Sequence, residues 1–306
     1  MPGTFRELIR EYVAERRVAA KSKKGASAGY LQFLQQGLEP LAEWGDTTGV
    51  VPADFDRPQF TRYLDSLKRR DGFQQKSSAG KDLAPSTWHA YARLARAVMI
   101  YAADMGYITK APKLDIVRPK PDPKLLSEDQ LKQALAACRG RKGARDEAIL
   151  CLMADSGIRR AELCSLVWGD LEYSKGRGYV HVRHGKGDKD RKSYFLEPTW
   201  TLLQASGKDR PHGPDDPVFL ALDDEGPMKP ASLGALLTDI GTRAGFRLRP
   251  HMLRHTAARR MLKRGMSPSA VKRALGHSSI TITVDLYGSF DDEMTEDDYF
   301  EHMNGD

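Results

Sequence analysis

The residues best suited to chemistry are cationic side chains and one tyrosine in the second half of the chain. In chain order they are Arg159, Lys186, His251, Arg254, His277 and Tyr287. Guanidinium, ammonium and imidazole groups stabilise the charge that a phosphodiester gains as the bonds to phosphorus rearrange. A tyrosine can attack that phosphorus and keep the phosphate as an ester, once cations activate a phenol whose pKa is about 10. The set therefore predicts covalent phosphoryl transfer.

Each of these residues, taken alone, also fits an ordinary structural role. His251 and Arg254 are three residues apart and share one face of a predicted helix, which equally suits a solvated polar face. His277 follows a glycine at a predicted helix end, where capping residues are common. Lys186 lies between two glycines, as in many charged turns. Only the combination and the order of these features favour a catalytic set.

The composition is that of a folded globular protein, with 40% hydrophobic and 29% charged residues. No segment has the roughly 20 apolar residues of a membrane span, and the N-terminal residues lack the apolar core of a secretory signal. We therefore expect a cytoplasmic protein without a membrane partner. The three cysteines, Cys138, Cys151 and Cys164, form no Cys-x-x-Cys pair and are expected to be small apolar residues in helices.

The charge of the chain is unevenly distributed. Residues 1–120 carry 20 basic and 13 acidic residues, and residues 121–286 carry 28 and 20. Residues 287–306 carry eight acidic residues and no lysine or arginine, which brings the total to +7. A body of +15 indicates a polyanionic partner, most commonly nucleic acid, although a well-solvated surface has the same composition.

A chain of 306 residues exceeds what one hydrophobic core usually supports, which predicts two domains. Residues 1–110 show apolar residues at helical spacing with basic residues between them, as in a helical DNA-binding domain. Residues 111–126 contain closely spaced prolines, which predicts an extended linker. Residues 127–306 form the second predicted domain, and Ser127 and Gln130 match a capping box that begins its first helix.

The predicted fold is mainly α, with a small antiparallel β-hairpin or sheet in the second domain. Strands are predicted at residues 179–183 and 192–196, on either side of Lys186. A short helix is expected after Arg159 and another near Tyr287. The longer helices are predicted at about 127–137, 143–155, 231–244, 251–264 and 267–275.

The order of the motifs closely resembles that of the tyrosine recombinases, the family of the phage integrases, over residues 127–287. The resemblance implies that residues 1–110 are a core-binding domain of the SAM-like type and that residues 127–306 are catalytic. Because the chain begins almost directly with the first helix, we expect a simple integrase without an arm-binding domain.

The same resemblance implies how the phosphate is held. Arg159 and Arg254 would clamp the scissile phosphate, and His277 would donate a hydrogen bond to it. Glu162 matches a supporting acidic position and is close enough in sequence to orient Arg159.

The resemblance also implies how the strand is cut. Tyr287 would attack to form a 3′-phosphotyrosine, His251 would handle the tyrosine proton, and Lys186 would protonate the leaving 5′ oxygen. His277 and Tyr287 are ten residues apart, where nine is the commoner spacing in the family.

The expected function is site-specific recombination that integrates or excises a phage or mobile element, with double-stranded DNA as substrate and a homotetramer as the active assembly. No metal or other cofactor is expected, and an accessory DNA-bending or directionality protein is a further expected partner. The alternatives are a recombinase that resolves chromosome dimers, a type IB-like enzyme that relaxes DNA, and a DNA-binding module without catalysis. Within the acidic tail, residues 287–306, the segment 290–303 alternates apolar and acidic residues and is expected to form a helix that docks on a neighbouring subunit, with a frayed terminus as the alternative.

Overall fold

The structure is a computed structural model that describes residues 1–19, 28–69, 83–113, 116, 124–139, 142–185, 189–208, 212–221 and 226–276. The chain divides into two compact units, Met1–Lys120 and Pro121–Asp306, and each has its own hydrophobic core. Within the described ranges, every helix is too short or too polar to cross a bilayer.

The first unit is helical. Its helices are α1 (Phe5–Ala19), α2 (Ala28–Thr48), α3 (Arg57–Arg69) and α4 (Pro85–Asp104), with a 3-10 turn at Pro52–Asp54. Apolar residues three and four apart on these helices face one core, as their spacing predicted. Aromatic rings occupy its centre: the ring centroids of Phe5 and Phe55 are 5.1 Å apart, and those of Trp44 and Tyr63 are 5.8 Å apart.

The second unit combines helices with a small sheet. Its elements are α5 (Glu128–Ala136), α6 (Gly143–Ser156), α7 (Arg160–Cys164), β1 (Leu171–Ser174), β2 (Arg177–Gly185), β3 (Lys189–Phe195), α8 (Glu197–Gly207), α9 (Pro230–Ala244), α10 (Pro250–Lys263) and α11 (Pro268–Leu275). The predicted fold class, mainly α with a small antiparallel sheet, is confirmed.

Helix α6 is the centre of the second unit. It is buried on nearly all sides, because its apolar residues are not confined to one face. It contacts α8, α10 and β3. The hydroxyl of Ser193 on β3 donates to the carbonyl of Ser156 at the end of α6, at 2.6 Å. The end of α6 is thereby fixed against the sheet.

The sheet has the order β1-β2-β3, and both pairs are antiparallel. In the β2–β3 register Val180 lies opposite Ser193, and Gly185 lies opposite Lys189. The inward face of β3 carries Arg191, Ser193 and Phe195, and the alternate residues are exposed.

Two elements of the second unit were not predicted. Helix α8 buries only Thr199, Leu203 and Gly207, so its sequence carries too little apolar periodicity to indicate a helix. Strand β1 has four residues with an alternating burial pattern, which is too short to distinguish from a loop.

The predicted capping box is confirmed, since the Gln130 amide donates to the Ser127 hydroxyl at 3.0 Å and the Ser127 amide donates to the Gln130 side chain at 3.0 Å. The cysteine prediction holds for Cys151 and Cys164, which lie in helices, whereas Cys138 follows the end of α5. Burial raises the pKa of the Cys138 thiol to about 12, so this thiol is protonated at neutral pH.

Candidate active site

The site begins at the corner where α6 ends. Gly157 caps α6 in the left-handed region, with φ of 60°, and Arg159 follows as the residue before α7. A Cβ atom on Gly157 would lie 2.2 Å from Cδ2 of Leu275 and 3.3 Å from Cβ of Ala257. Only glycine therefore fits this corner, which sits against both α10 and α11.

Arg254 reaches the same corner from α10. Its neighbours Leu253 and Ala257 are buried and anchor the helix, and Arg254 itself is only 6% exposed. Its Nη1 donates to the carbonyl of Gly157 at 2.5 Å, and its Nη2 donates to the carbonyl of Leu275 at 2.7 Å.

The charge of Arg254 is held at an electrostatic cost. Burial and then the nearby positive charges of Arg159 and Arg191 lower the pKa of Arg254 to about 9. The guanidinium is still charged at neutral pH. An incoming anion would relieve this repulsion, so the site is poised to bind negative charge.

Glu162 lies between two arginines. Its Oε1 accepts from Nη1 of Arg159 at 2.8 Å, and its Oε2 accepts from the Arg159 amide at 2.8 Å. Nη1 and Nη2 of Arg191 donate to the same two oxygens, at 2.8 and 2.6 Å. Burial acts to raise the pKa of Glu162, but the hydrogen bonds from Arg191 and Arg159 outweigh it and lower the pKa to about 2.

Arg191 is the residue of this cluster that the sequence did not single out. The predicted strand began at residue 192 and left Arg191 in the preceding turn, whereas the structure places Arg191 on β3 with its side chain 9% exposed. The alternation of Arg191 with Ser193 and Phe195 on the inward face was the available signal. The contact between Glu162 and Arg159, by contrast, agrees with their predicted proximity.

Three arginines converge on the C-terminal end of α11. The carbonyl of Ala274 accepts from Arg191 Nε at 3.3 Å, and the carbonyl of Gly276 accepts from Arg159 Nη2 at 2.6 Å. The Leu275 carbonyl between them is the acceptor of Arg254 described above. Free carbonyls make a helix C-terminus negative, so cations are favoured there. These three successive carbonyls, here called the α11 carbonyls, tie the corner, α10 and β3 to one point.

His251 lies in the first turn of α10 and is exposed to solvent. Partial burial of the ring, followed by repulsion from Arg254, Arg160 and Arg159, nevertheless lowers the pKa of His251 below its usual value. The lowered pKa favours the neutral form of the ring, which can accept a proton. Burial also lowers the pKa of His255, whose ring centroid is 6.4 Å from that of His251.

These residues line one cleft of about 490 Å³. Arg159, His251, Arg254 and His255 all contribute to it, and the residues that line it in the described part of the chain include no Asp or Glu. Its cationic residues are Lys124, Arg159, Arg160, Arg247, Arg249 and Arg254. The positive potential of such a cleft attracts phosphate groups.

The structure brings together three of the six predicted catalytic residues, Arg159, His251 and Arg254. Lys186, His277 and Tyr287 lie outside the described residues. In sequence, Lys186 falls between the end of β2 and the start of β3, and His277 directly follows the α11 carbonyls.

Comparisons with known proteins agree with this geometry. The family model described as the phage integrase family matches residues 124–294. The tyrosine recombinase XerA of Thermococcus onnurineus is 32% identical over 231 residues, which cover 72% of this chain and 73% of that protein. XerA of Saccharolobus solfataricus is 28% identical over 259 residues, which cover 85% and 82% of the two chains.

The fold is also similar to that of a solved structure, the Tn1549 transposon integrase (residues 82–397) in complex with circular intermediate DNA. The TM-score is 0.70 at 20% identity, with 93% of this chain and 95% of that chain covered. The chain belongs to the phage integrase family, the tyrosine recombinases, which are enzymes that cleave and rejoin DNA. The predicted family and enzyme class are thus confirmed.

Proposed function

We propose that this recombinase cleaves a DNA strand by attack of Tyr287 on a phosphodiester held in the cationic cleft. The observation that carries the proposal is the convergence of Arg159, Arg254 and His251 on one cleft free of lining carboxylates among the described residues. The α11 carbonyls lie beside it and lead in sequence directly to His277 and, ten residues on, to Tyr287.

Within the part of the chain that the structure describes, the two arginines retain donors for the phosphate. Arginine has five N–H groups. The contacts of Arg254 with the Gly157 and Leu275 carbonyls use two of them, and those of Arg159 with Glu162 and Gly276 also use two. The remaining N–H groups bind the non-bridging oxygens, whose charge grows in the transition state. Removing one such donor typically slows a reaction by about 100- to 1000-fold.

The proton balance assigns the remaining roles. The Tyr287 oxygen forms a bond to phosphorus while the bond from phosphorus to the 5′ oxygen breaks. The neutral ring of His251 takes the tyrosine proton, and Lys186 gives a proton to the leaving 5′ oxygen. His277 donates a hydrogen bond to the phosphate. The phosphotyrosine conserves the energy of the broken ester, so rejoining is the reverse reaction and needs no ATP.

The rest of the chain is assigned to DNA binding and assembly. Residues 1–110 act as a core-binding domain that lies on the duplex, residues 111–126 as a linker and residues 127–306 as the catalytic domain. The active assembly is a homotetramer on double-stranded DNA in the cytoplasm, and an accessory DNA-bending or directionality protein takes part.

We propose integration or excision of a mobile element as the biological role. The fold similarity to the Tn1549 transposon integrase is consistent with it. The 32% identity to a XerA recombinase favours a second candidate, the resolution of chromosome dimers. The two roles are distinguished by testing recombination on plasmids with two identical sites and on plasmids with two unlike sites. A dimer resolvase recombines the identical sites.

The test of the chemistry is covalent capture. The protein is incubated with a pool of nicked duplexes of randomised sequence. Cleavage releases a short strand that diffuses away, so the ends cannot be rejoined and the covalent adduct accumulates. We expect a DNA adduct that mass spectrometry maps to Tyr287 and that Tyr287→Phe abolishes without loss of DNA binding. Tyr299→Phe is the matched control and keeps the adduct. An adduct on another residue, or one that survives Tyr287→Phe, would refute the proposal.

A further inference from the structure

We propose that Arg191 is a positioning residue of the active site. It pairs with Glu162, so that the carboxylate does not cancel the positive charge that Arg159 presents to the scissile phosphate. The inference rests on the proposed function, because it concerns the phosphate that Arg159 is proposed to hold. Arg191 comes from β3, a different element from those that carry Arg159 and Arg254.

The first support is the geometry of the carboxylate. Arg191 and Glu162 form a two-pronged pair at 2.8 and 2.6 Å, and both side chains are 9% exposed. Bidentate pairs, with two parallel hydrogen bonds, are the strongest arginine–carboxylate contacts. Were Glu162 paired with Arg159 alone, its charge would cancel that of Arg159 beside the cleft.

The second support is the charge balance. The cluster contains three guanidinium groups, those of Arg159, Arg191 and Arg254, against the one carboxylate of Glu162. Three positive charges and one negative charge leave a net charge of +2. Because the cluster is largely shielded from water, this charge acts strongly on a phosphate in the cleft.

The third support is the contact of Arg191 with the α11 end. Its Nε donates to Ala274, and its side chain lies against Gly276, where a Cβ atom would be 2.7 Å from Arg191 Cδ. Gly276 in turn accepts from Arg159 and precedes His277. Arg191 therefore both offsets the carboxylate charge beside Arg159 and holds the end of α11 whose carbonyl orients Arg159.

The test is a pair of variants and their combination. Arg191→Met removes the charge and keeps a long side chain, so Glu162 is left to cancel Arg159. We expect single-turnover cleavage to fall by about 100-fold, as for a misplaced catalytic group. Adding Glu162→Gln removes the unbalanced carboxylate, and we expect the double variant to cleave faster than Arg191→Met alone. A purely structural role predicts a double variant that is as slow or slower.

The matched control is Arg145→Met. Arg145 is also buried, at 8% side-chain exposure, and also donates to a carboxylate, that of Asp146, and to a backbone carbonyl, that of Leu220. It is not among the residues that line the cleft. We expect this variant to lose stability but to keep the cleavage rate of its folded fraction. Should Arg191→Met fail to fold, Arg191→Gln, alone and combined with Glu162→Gln, carries the same test.

Cleavage is measured on a nicked duplex that the parent enzyme selects from the randomised pool. Binding of inorganic phosphate, followed through the NMR signals of the His251 ring, is measured in parallel and needs no DNA cleavage. Weaker phosphate binding in Arg191→Met, with recovery in the double variant, supports the inference. Equal affinities in parent and Arg191→Met, or no recovery of either property in the double variant, overturn it. Absence of a Tyr287 adduct in the parent overturns the proposed function, while the phosphate titration still decides the role of Arg191.

Discussion

Replacing Gly157 with alanine should damage both the stability of the second unit and the geometry of the site. The added Cβ atom would lie 2.2 Å from Leu275 Cδ2. The alanine would also have to adopt φ near 60°. The left-handed backbone costs an L-residue about 1–2 kcal/mol. The overpacked contact adds about 1–3 kcal/mol, since Leu275 is fully buried and has little room to move.

Gly245→Ala separates these two costs. Gly245 caps α9 with φ of 83°, and among the described residues no atom beyond its own stretch of chain lies within 4 Å of the position of a Cβ atom there. It therefore carries only the backbone cost of about 1–2 kcal/mol. Gly157→Ala should lose about 1–3 kcal/mol more in the free energy of unfolding. In a protein that already carries Leu275→Ala, Gly157→Ala should cost less than it does in the parent, because the smaller side chain leaves the space that the new methyl group needs.

The free energy of unfolding is measured by urea titration, and the cleavage rate is measured on the nicked duplex. Only Gly157→Ala should slow cleavage per folded molecule, because the Gly157 carbonyl accepts from Arg254. Equal destabilisation by Gly157→Ala and Gly245→Ala would show that the corner is not tightly packed and does not fix the positions of Arg159 and Arg254.

Two further predictions concern pH. The pKa of Glu162 is about 2 in the folded protein against an ordinary value of 4.5, so this carboxylate stabilises the fold above pH 4.5 and loses that contribution as pH falls towards 2. Urea titrations between pH 5 and 2 should show the parent losing about 3 kcal/mol more than Glu162→Gln, and parallel losses would contradict the assigned ion pairs. The pKa of His251 is lowered, so the cleavage rate of the parent should rise with pH below the ordinary histidine value of 6.5 and be level at pH 7. His251→Gln should cleave about 100-fold more slowly or worse and should lack that rise. The control His181→Gln should retain the rise. A rise that persists in His251→Gln would exclude His251 as the base.

The cationic cleft is stabilised by negative charge from within the protein. Like charges at close range repel, and burial adds to the cost, as the lowered pKa of Arg254 indicates. The α11 carbonyls and Glu162 offset this cost with fixed partial and full negative charge. They do so from behind the arginines, so the cleft itself keeps its positive potential for a phosphate.

The chain order of short motifs determined the family and the residues proposed for catalysis. Apolar spacing predicted most of the helices, because the residues on the one apolar face of a helix recur every three to four positions in the sequence. The short helix at Arg159, the capping box at Ser127 and the glycine cap before His277 followed from local rules in the same way. Such features depend on residues a few positions apart, and local sequence is sufficient for them.

Only the tertiary structure decided which arginine stands behind the cleft. Arg191 and Glu162 are 29 residues apart, and Arg191 and the carbonyl of Ala274 are 83 apart, so no local pattern links them. In sequence Arg191 is one of several basic residues near a turn, and its inward side chain is set by the register of β3 against β2. The packing of α10 and α11 on the Gly157 corner then brings three guanidinium groups to one helix end, because that end offers successive carbonyls without an intrahelical partner to buried donors.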